Sequence, residues 1–311
     1  MNSTFPHNVV NSTGGRLGDS GESLFLARLF AALQSVMGGE FDEFTFVVHH
    51  RQHGELPGRQ INLMPGGPKS VLILLSDECE VFPLENFPDY RAVFRSYGFS
   101  RNHPRIHDFP VGYLNAAGQA VAIPFEQRKH PVFFCGCLNG SRIDFYKQFE
   151  PIRWLPQQNI PTRQLREIAR RLIVKSRKRR EFDNFCPDSL IRFTDGFGRG
   201  FVPDEYARIL ADTKIALCPP GFVSSETIRH WEAMRLGCIV ISGPLPPNRF
   251  YRGSPIIQLR TWSDLRPVID NLLENPREMI AIHQATTAWW RDVCSGSAVA
   301  SYMADRLKTT L

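Results

Sequence analysis

Lys214-Ile215-Ala216-Leu217-Cys218-Pro219-Pro220-Gly221-Phe222, followed by the stretch Val223 to Gly237 and then Cys238-Ile239-Val240-Ile241-Ser242, decides the fold of this chain. Its two apolar runs are too short for helices and read as strands buried on both faces. Between them Pro219 to Phe222 makes a turn. A helix is expected over Ser225 to Leu236, with Ser224 and Ser225 as capping candidates and Glu226 in the first turn. Strand, loop, helix and strand in this order build a parallel α/β sheet. The loop lies at the carboxyl end of a strand, where ligands bind in open α/β sheets, and the helix start offers unpaired amides and partial positive charge to a phosphate.

The same alternation continues outward on both sides. Pro131 to Cys137 and Leu190 to Thr194 read as strands, and Thr162 to Lys178 and Pro203 to Asp212 as helices. Further upstream the strand candidates are His7 to Val10, Phe44 to His49, Ser70 to Leu75 and Asp108 to Tyr113. A Gly-rich loop spans Asn11 to Glu22, and helices are expected from Leu24 to Val36 and around Tyr90 to Tyr97. The polar stretch Asn115 to His130 separates the two series. A chain of 311 residues suits two domains. The expected architecture is α/β, with two Rossmann-like domains at 1–128 and 129–285. An amphipathic helix, 286–311, is expected to end the chain.

Hydrophobic residues make up 42% of the chain and charged ones 22%, the balance of an ordinary soluble protein. No run approaches the roughly 18 apolar residues that span a bilayer. Residues 1–21 are polar, without the apolar core of an export signal, and the seven cysteines are not tightly spaced. Free thiols and a cytoplasmic location are therefore expected. On the same ground the triplets beginning at Asn2, Asn11 and Asn139 are read as chance glycosylation matches. The net charge of +6 favours anionic partners. Much of the excess lies between Arg163 and Arg180, either a solvated helix face or a patch for peripheral membrane contact.

Arg229 and Glu232 are three apart and share a helix face near its first turn. A guanidinium there can grip diphosphate oxygens in a bidentate way, and a carboxylate can accept from both ribose hydroxyls; an exposed ion pair is the plainer alternative. Thr227-x-Arg229-x-x-Glu232-Ala233 with Leu236-Gly237-Cys238-Ile239-Val240-Ile241 resembles the signature of the exostosin-like glycosyltransferases, family 47. Tyr206 to Pro219 is similar to that family's approach to the site, and Phe133-Phe134-Cys135-Gly136 with Arg142 to its donor-domain opening. Thr227 stands where the family has Ser, and Val240 where it often has Pro. The resemblance implies a GT-B fold, two Rossmann-like domains facing each other across a cleft, with 1–128 binding the acceptor, 129–285 the donor, and the C-terminal helix 286–311 crossing back to the first domain. It also implies inverting transfer from a nucleoside-diphosphate sugar to a glycan or glycoconjugate acceptor. Arg229 and Arg142 would meet the diphosphate, Glu232 the ribose, and Gly221, Phe222 and Ser225 would line the phosphate loop, with Thr227 at the helix start. Phe222 has plain packing as its alternative. The donor expected by family frequency is a UDP-sugar, such as UDP-xylose or UDP-galactose, with no further cofactor.

An inverting transferase needs a base for the acceptor hydroxyl. Three N-terminal loops offer one: Ser76-Asp77-Glu78 with Glu80, the Gly18 to Glu22 loop containing Asp19, and His49-His50. Asp77 or Glu78 ranks first and Asp19 second. No Asp-x-Asp motif occurs, and Cys135-x-Cys137 lacks a partner pair at zinc spacing, so a metal-independent enzyme is expected. The alternative is a protein binding nucleic acid or an anionic surface through 163–180. No aromatic residue lies between Leu165 and Arg180 to stack on bases, which disfavours nucleic acid.

Overall fold

The computed structural model describes residues 4–50, 64, 66–78, 89–97, 103–150, 172, 174, 180–182, 185–196 and 198–309. The chain divides into two compact α/β units. The first comprises Met1–Gly118, Pro246–Ser254 and Trp289–Leu311, and the second Gln119–Leu245 and Pro255–Ala288. Residues 119–128, assigned to the N-terminal domain by sequence, thus group with the second unit.

In the first unit five strands, β1 (Val9–Asn11), β2 (Thr45–His50), β3 (Gly67–Leu75), β4 (Tyr90–Arg95) and β5 (Ile106–Asp108), lie in chain order and pair in parallel throughout. Val71 to Leu75 are almost wholly inaccessible, as their unbroken apolar run implies. Helix α1 (Ser23–Met37) follows the Gly-rich loop and buries Phe25, Leu26, Leu29, Phe30 and Leu33. Ser23–Glu43 is apolar and long enough by composition to cross a membrane, contrary to the count made from uninterrupted runs, but here it is a core segment of an α/β unit.

The helix expected around Tyr90 to Tyr97 is instead strand β4. Tyr90, Ala92, Val93 and Phe94 are all buried, because β3 pairs on one side and β5 on the other. Arg91 and Arg95 interrupt the strand, so its apolar residues Tyr90, Ala92, Val93, Phe94 and the following Tyr97 fit a helical stripe as well as a strand. The strand expected over Asp108 to Tyr113 lies earlier, at β5. Phe109 and Tyr113 follow it in irregular backbone and pack edge-on against Phe25.

The second unit holds β6 (His130–Cys137), β7 (Arg180–Glu181), β8 (Leu190–Thr194), β9 (Thr213–Cys218), β10 (Ile239–Ser242) and β11 (Ile257–Gln258), in the spatial order β11-β10-β9-β6-β8-β7. All pairs are parallel except β7 with β8. The chain builds outward from β6 to β8, then crosses back to the other side of β6 and continues through β9 and β10. The order reverses between β6 and β9, the doubly wound pattern. Helix α2 (Pro203–Ala211) leads into β9, and α3 (Ile228–Arg235) connects β9 to β10. Phe134, Phe145 and Phe193 form the aromatic centre of the core, with ring centroids 4.9 Å apart from Phe134 to each of the others.

The expected helix Thr162 to Lys178 falls almost entirely outside the described residues, as do Glu80 and the basic residues Arg163 to Arg179. Toward the C-terminus, α4 (Leu265–Glu274) and α5 (Pro276–Trp289) precede a π-helical turn at Trp290–Cys294 and α6 (Gly296–Thr309). The C-terminal helix expected over 286–311 is therefore broken by that turn. Helix α6 packs on α1 within the first unit, and Arg91 Nη2 donates to Leu307 O at 3.2 Å near its end.

Candidate functional site

The reversal between β6 and β9 places two strand ends side by side, and the loops leaving them are bonded to each other. After β6, the Asn139 carboxamide oxygen accepts from the Ser141 and Arg142 amides at 3.0 and 3.2 Å, which caps a short turn and swings Arg142 inward. Arg142 is buried; its Nε donates to Pro220 O at 2.7 Å and its Nη1 to Cys137 O at 2.8 Å. The Ser141 hydroxyl and Asn139 Nδ2 both donate to Gly221 O. The turn itself is closed by Gly221 N on Ser224 O at 2.8 Å.

Helix α3 starts at Ile228, three residues later than expected. Ser224 and Ser225 do not cap it; the Ser224 hydroxyl accepts from the Glu226 amide at 3.2 Å within the loop, and Thr227 is the N-cap. The Thr227 amide donates to His230 Nδ1 at 3.1 Å. This is a capping box in which His replaces the usual Glu or Gln. At the other end Gly237 takes φ +67°, and the bonds Gly237 N to Met234 O and Cys238 N to Ala233 O close the helix. Arg128, buried, donates to Leu236 O at 2.7 Å and to Thr213 O at 2.8 Å. A cation on the last carbonyls also complements the helix dipole.

Arg229 points back across β6. Its Nη2 donates to Cys135 O at 2.7 Å and its guanidinium lies 5.3 Å from the centre of the Phe134 ring, while Arg142 lies 5.9 Å from the same ring. Gly136 separates the two. A Cβ there would stand 2.8 Å from Arg229 Nη2 and 3.1 Å from Arg142 Nη1, so this strand position admits only glycine while both guanidiniums keep their places. Arg229 Nε is buried and has no acceptor. An orphaned donor of this kind is costly unless a ligand meets it.

Glu232 is 2% exposed, and its charge acts on Arg229 and Tyr206. Burial pushes the Tyr206 phenol well above its ordinary range and does the same to the Cys218 thiol, so both remain neutral beside Arg229. Phe222 and Val223 are 60% and 64% exposed at the loop tip, which removes plain core packing as the explanation of Phe222. Gly221 is buried, and Ser225 and Thr227 are half-buried. Sequence reading passed over the roles of His230, Asn139, Ser141 and Arg128, and met Gly136 only as part of the donor-domain motif. Only the first had a local signal, a Thr followed three residues later by a side chain able to accept.

The candidate bases lie in the first unit and differ in setting. Asp77 is fully buried at the end of β3 and accepts from Arg95 Nη2 at 2.5 Å, a pair that ties β3 to β4 and engages its carboxylate inside the sheet. Glu78 is half-buried, and Asp19 is exposed in the 3-10 turn Leu17–Asp19. His49 Nδ1 meets the Ser12 hydroxyl at 2.5 Å, and His50 Nε2 lies 3.6 Å from Glu22. Cys135 and Cys137 are buried free thiols, like the other described cysteines, and no metal-ligating cluster occurs among the described residues.

Fold and site define a protein of two Rossmann-like α/β units, the second with a cationic crevice at its topological switch point. No protein-family model matches the chain. No curated protein matches it either. Among solved structures it is similar to sucrose-phosphate synthase from Thermosynechococcus elongatus, with 10% sequence identity, a TM-score of 0.48, and coverage of 96% of this chain and 94% of that one. A likeness that remote transfers no residue's role.

Proposed function

We propose that the protein is a glycosyltransferase that binds the diphosphate of a nucleotide-sugar donor at the β6/β9 crevice. The observation supporting this reading is the convergence of Arg142 and Arg229 on either side of Gly136, where the first turn of α3 also begins. Diphosphate oxygens would take the donors of Arg229, including its orphaned Nε, and amides at the start of α3, while Glu232 would accept from the ribose. Phe222 and Val223 would border the donor.

The finer reading follows the motif likeness: an exostosin-like, GT-B, inverting enzyme using a UDP-sugar, UDP-xylose or UDP-galactose, without a metal. The acceptor oxygen attacks the anomeric carbon, the bond from that carbon to the diphosphate breaks, and the nucleoside diphosphate leaves with its charge met by the two arginines. For the proton we propose Glu78 or Asp19 as acceptor rather than Asp77, whose carboxylate is committed to Arg95.

A thermal-shift series with UDP, GDP, CDP and dTDP, and with their sugars, tests the reading. One nucleoside diphosphate is expected to raise the melting temperature of the native chain and not that of Arg229→Ala. If none does so, the donor site is refuted.

A further inference from the structure

The first turn of α3 is set by a residue outside the Arg/Glu pair. His230 is fully buried at the third position of the helix and uses both ring nitrogens. Nδ1 lies 3.1 Å from the amide, the carbonyl oxygen and the hydroxyl of Thr227 alike, and Nε2 lies 2.8 Å from the Ser242 hydroxyl. Ser242 is the last residue of β10 and is itself buried. The imidazole thus bridges the helix start to the carboxyl end of the next strand, one residue after Arg229.

A capping box normally places Glu or Gln at this position. Glutamate would serve the helix dipole well, but Glu226 and Glu232 already bury two carboxylates in the same seven-residue segment. A third would oppose an incoming diphosphate at the site where its charge must be met. A neutral ring supplies the same acceptor without the charge. Burial keeps it neutral, pushing the His230 pKa down to about 3.

We propose that His230 is a positioning residue of the anion site: held between Thr227 and Ser242, it fixes the turn that carries Arg229 and the first amides of α3 without adding a third carboxylate beside a diphosphate. The inference rests on the reading of the β6/β9 crevice as a diphosphate site. Calorimetric titration of the full chain with UDP and with inorganic pyrophosphate, for native protein, His230→Gln, His230→Leu and His230→Glu, tests it, each variant being checked by its melting curve. Gln retains a neutral acceptor and is expected to bind both anions within about threefold of native, whereas Leu is expected to bind about tenfold more weakly. Glu restores the cap but is expected to lose at least as much, with both anions affected alike. Native-like binding by Leu or by Glu overturns the proposal. If Leu does not fold, equal affinities of Gln and Glu overturn it. Failure of the native chain to bind UDP, GDP, CDP, dTDP or pyrophosphate refutes the diphosphate reading itself, a different outcome from native binding that survives in the variants.

Discussion

Gly136→Ala isolates the geometry of the crevice from its chemistry, because it removes no functional group. The added methyl would stand 2.8 Å from Arg229 Nη2, 3.1 Å from Arg142 Nη1 and 3.2 Å from Phe134 Cζ, whereas ordinary contact begins near 3.4 Å. Arg229 must therefore withdraw by at least about half an ångström, along a path that strains its 2.7 Å bond to Cys135 O. A hydrogen bond from a charged donor is worth about 1.5–3 kcal/mol. Replacing a strand glycine by alanine returns about 0.5–1 kcal/mol through the backbone, so the net change in stability is small, about 1–2 kcal/mol. Binding has no such compensation. A guanidinium out of place loses its bidentate grip, and a tenfold to hundredfold loss of UDP affinity is expected, about 1.4–2.8 kcal/mol. Urea unfolding and calorimetric titration of the same preparation measure the two effects separately. UDP binding within twofold of native by Gly136→Ala, alongside complete loss in Arg229→Ala, would refute the claim that seating both arginines here requires a glycine.

Asp77→Leu strands Arg95 in the sheet without its partner and is expected to destabilise the first unit by about 3–5 kcal/mol, with much of that recovered in Asp77→Leu/Arg95→Leu; equal urea midpoints for the single and double variants would contradict a buried pair. Acid should weaken the fold through its buried histidines. His230 is pushed to about 3 and His107 to about 4, both chiefly by burial, so the unfolded chain takes up protons near pH 6.5 while the folded chain refuses them. Stability is thus full above pH 6.5 and falls as pH drops toward 3, by up to about 1.4 kcal/mol per unit for His230. Urea midpoints at pH 7, 5.5 and 4.5 should fall less steeply in His230→Gln than in native protein, and parallel curves would exclude His230 from the effect.

How much the sequence discloses depends on the range of the interaction. Strands β3, β6 and β9 announce themselves because burial on both faces leaves unbroken apolar runs, and Pro203 marks the start of α2. Strand β4 misleads because its run is interrupted: with Arg91 and Arg95 between them, the apolar residues of Tyr90 to Tyr97 stand at helical and strand spacing alike, and only the neighbouring strands decide. The start of α3 depends on a choice among Ser224, Ser225 and Thr227 that is settled by an imidazole three residues on and a serine in β10. At the site, Arg142, Gly221 and Arg229 can be named from local pattern. Their assembly cannot, since the bonds that make it, Arg142 to Pro220 and Arg229 to Cys135, join residues 78 and 94 positions apart. Gly136 looks like any strand glycine until the two guanidiniums are in place.

The first unit is completed by the last helix of the chain. Helix α1 emerges early in synthesis, and α6, which packs on it, is made about 260 residues later, on the order of tens of seconds at cellular rates. During that interval α1 lacks this cover, in a segment apolar enough to pass for a membrane span. In that interval the chain is most open to capture by chaperones or lipid, and a stop codon near residue 290 would leave the second unit's sheet intact while denying the first the helix that covers α1.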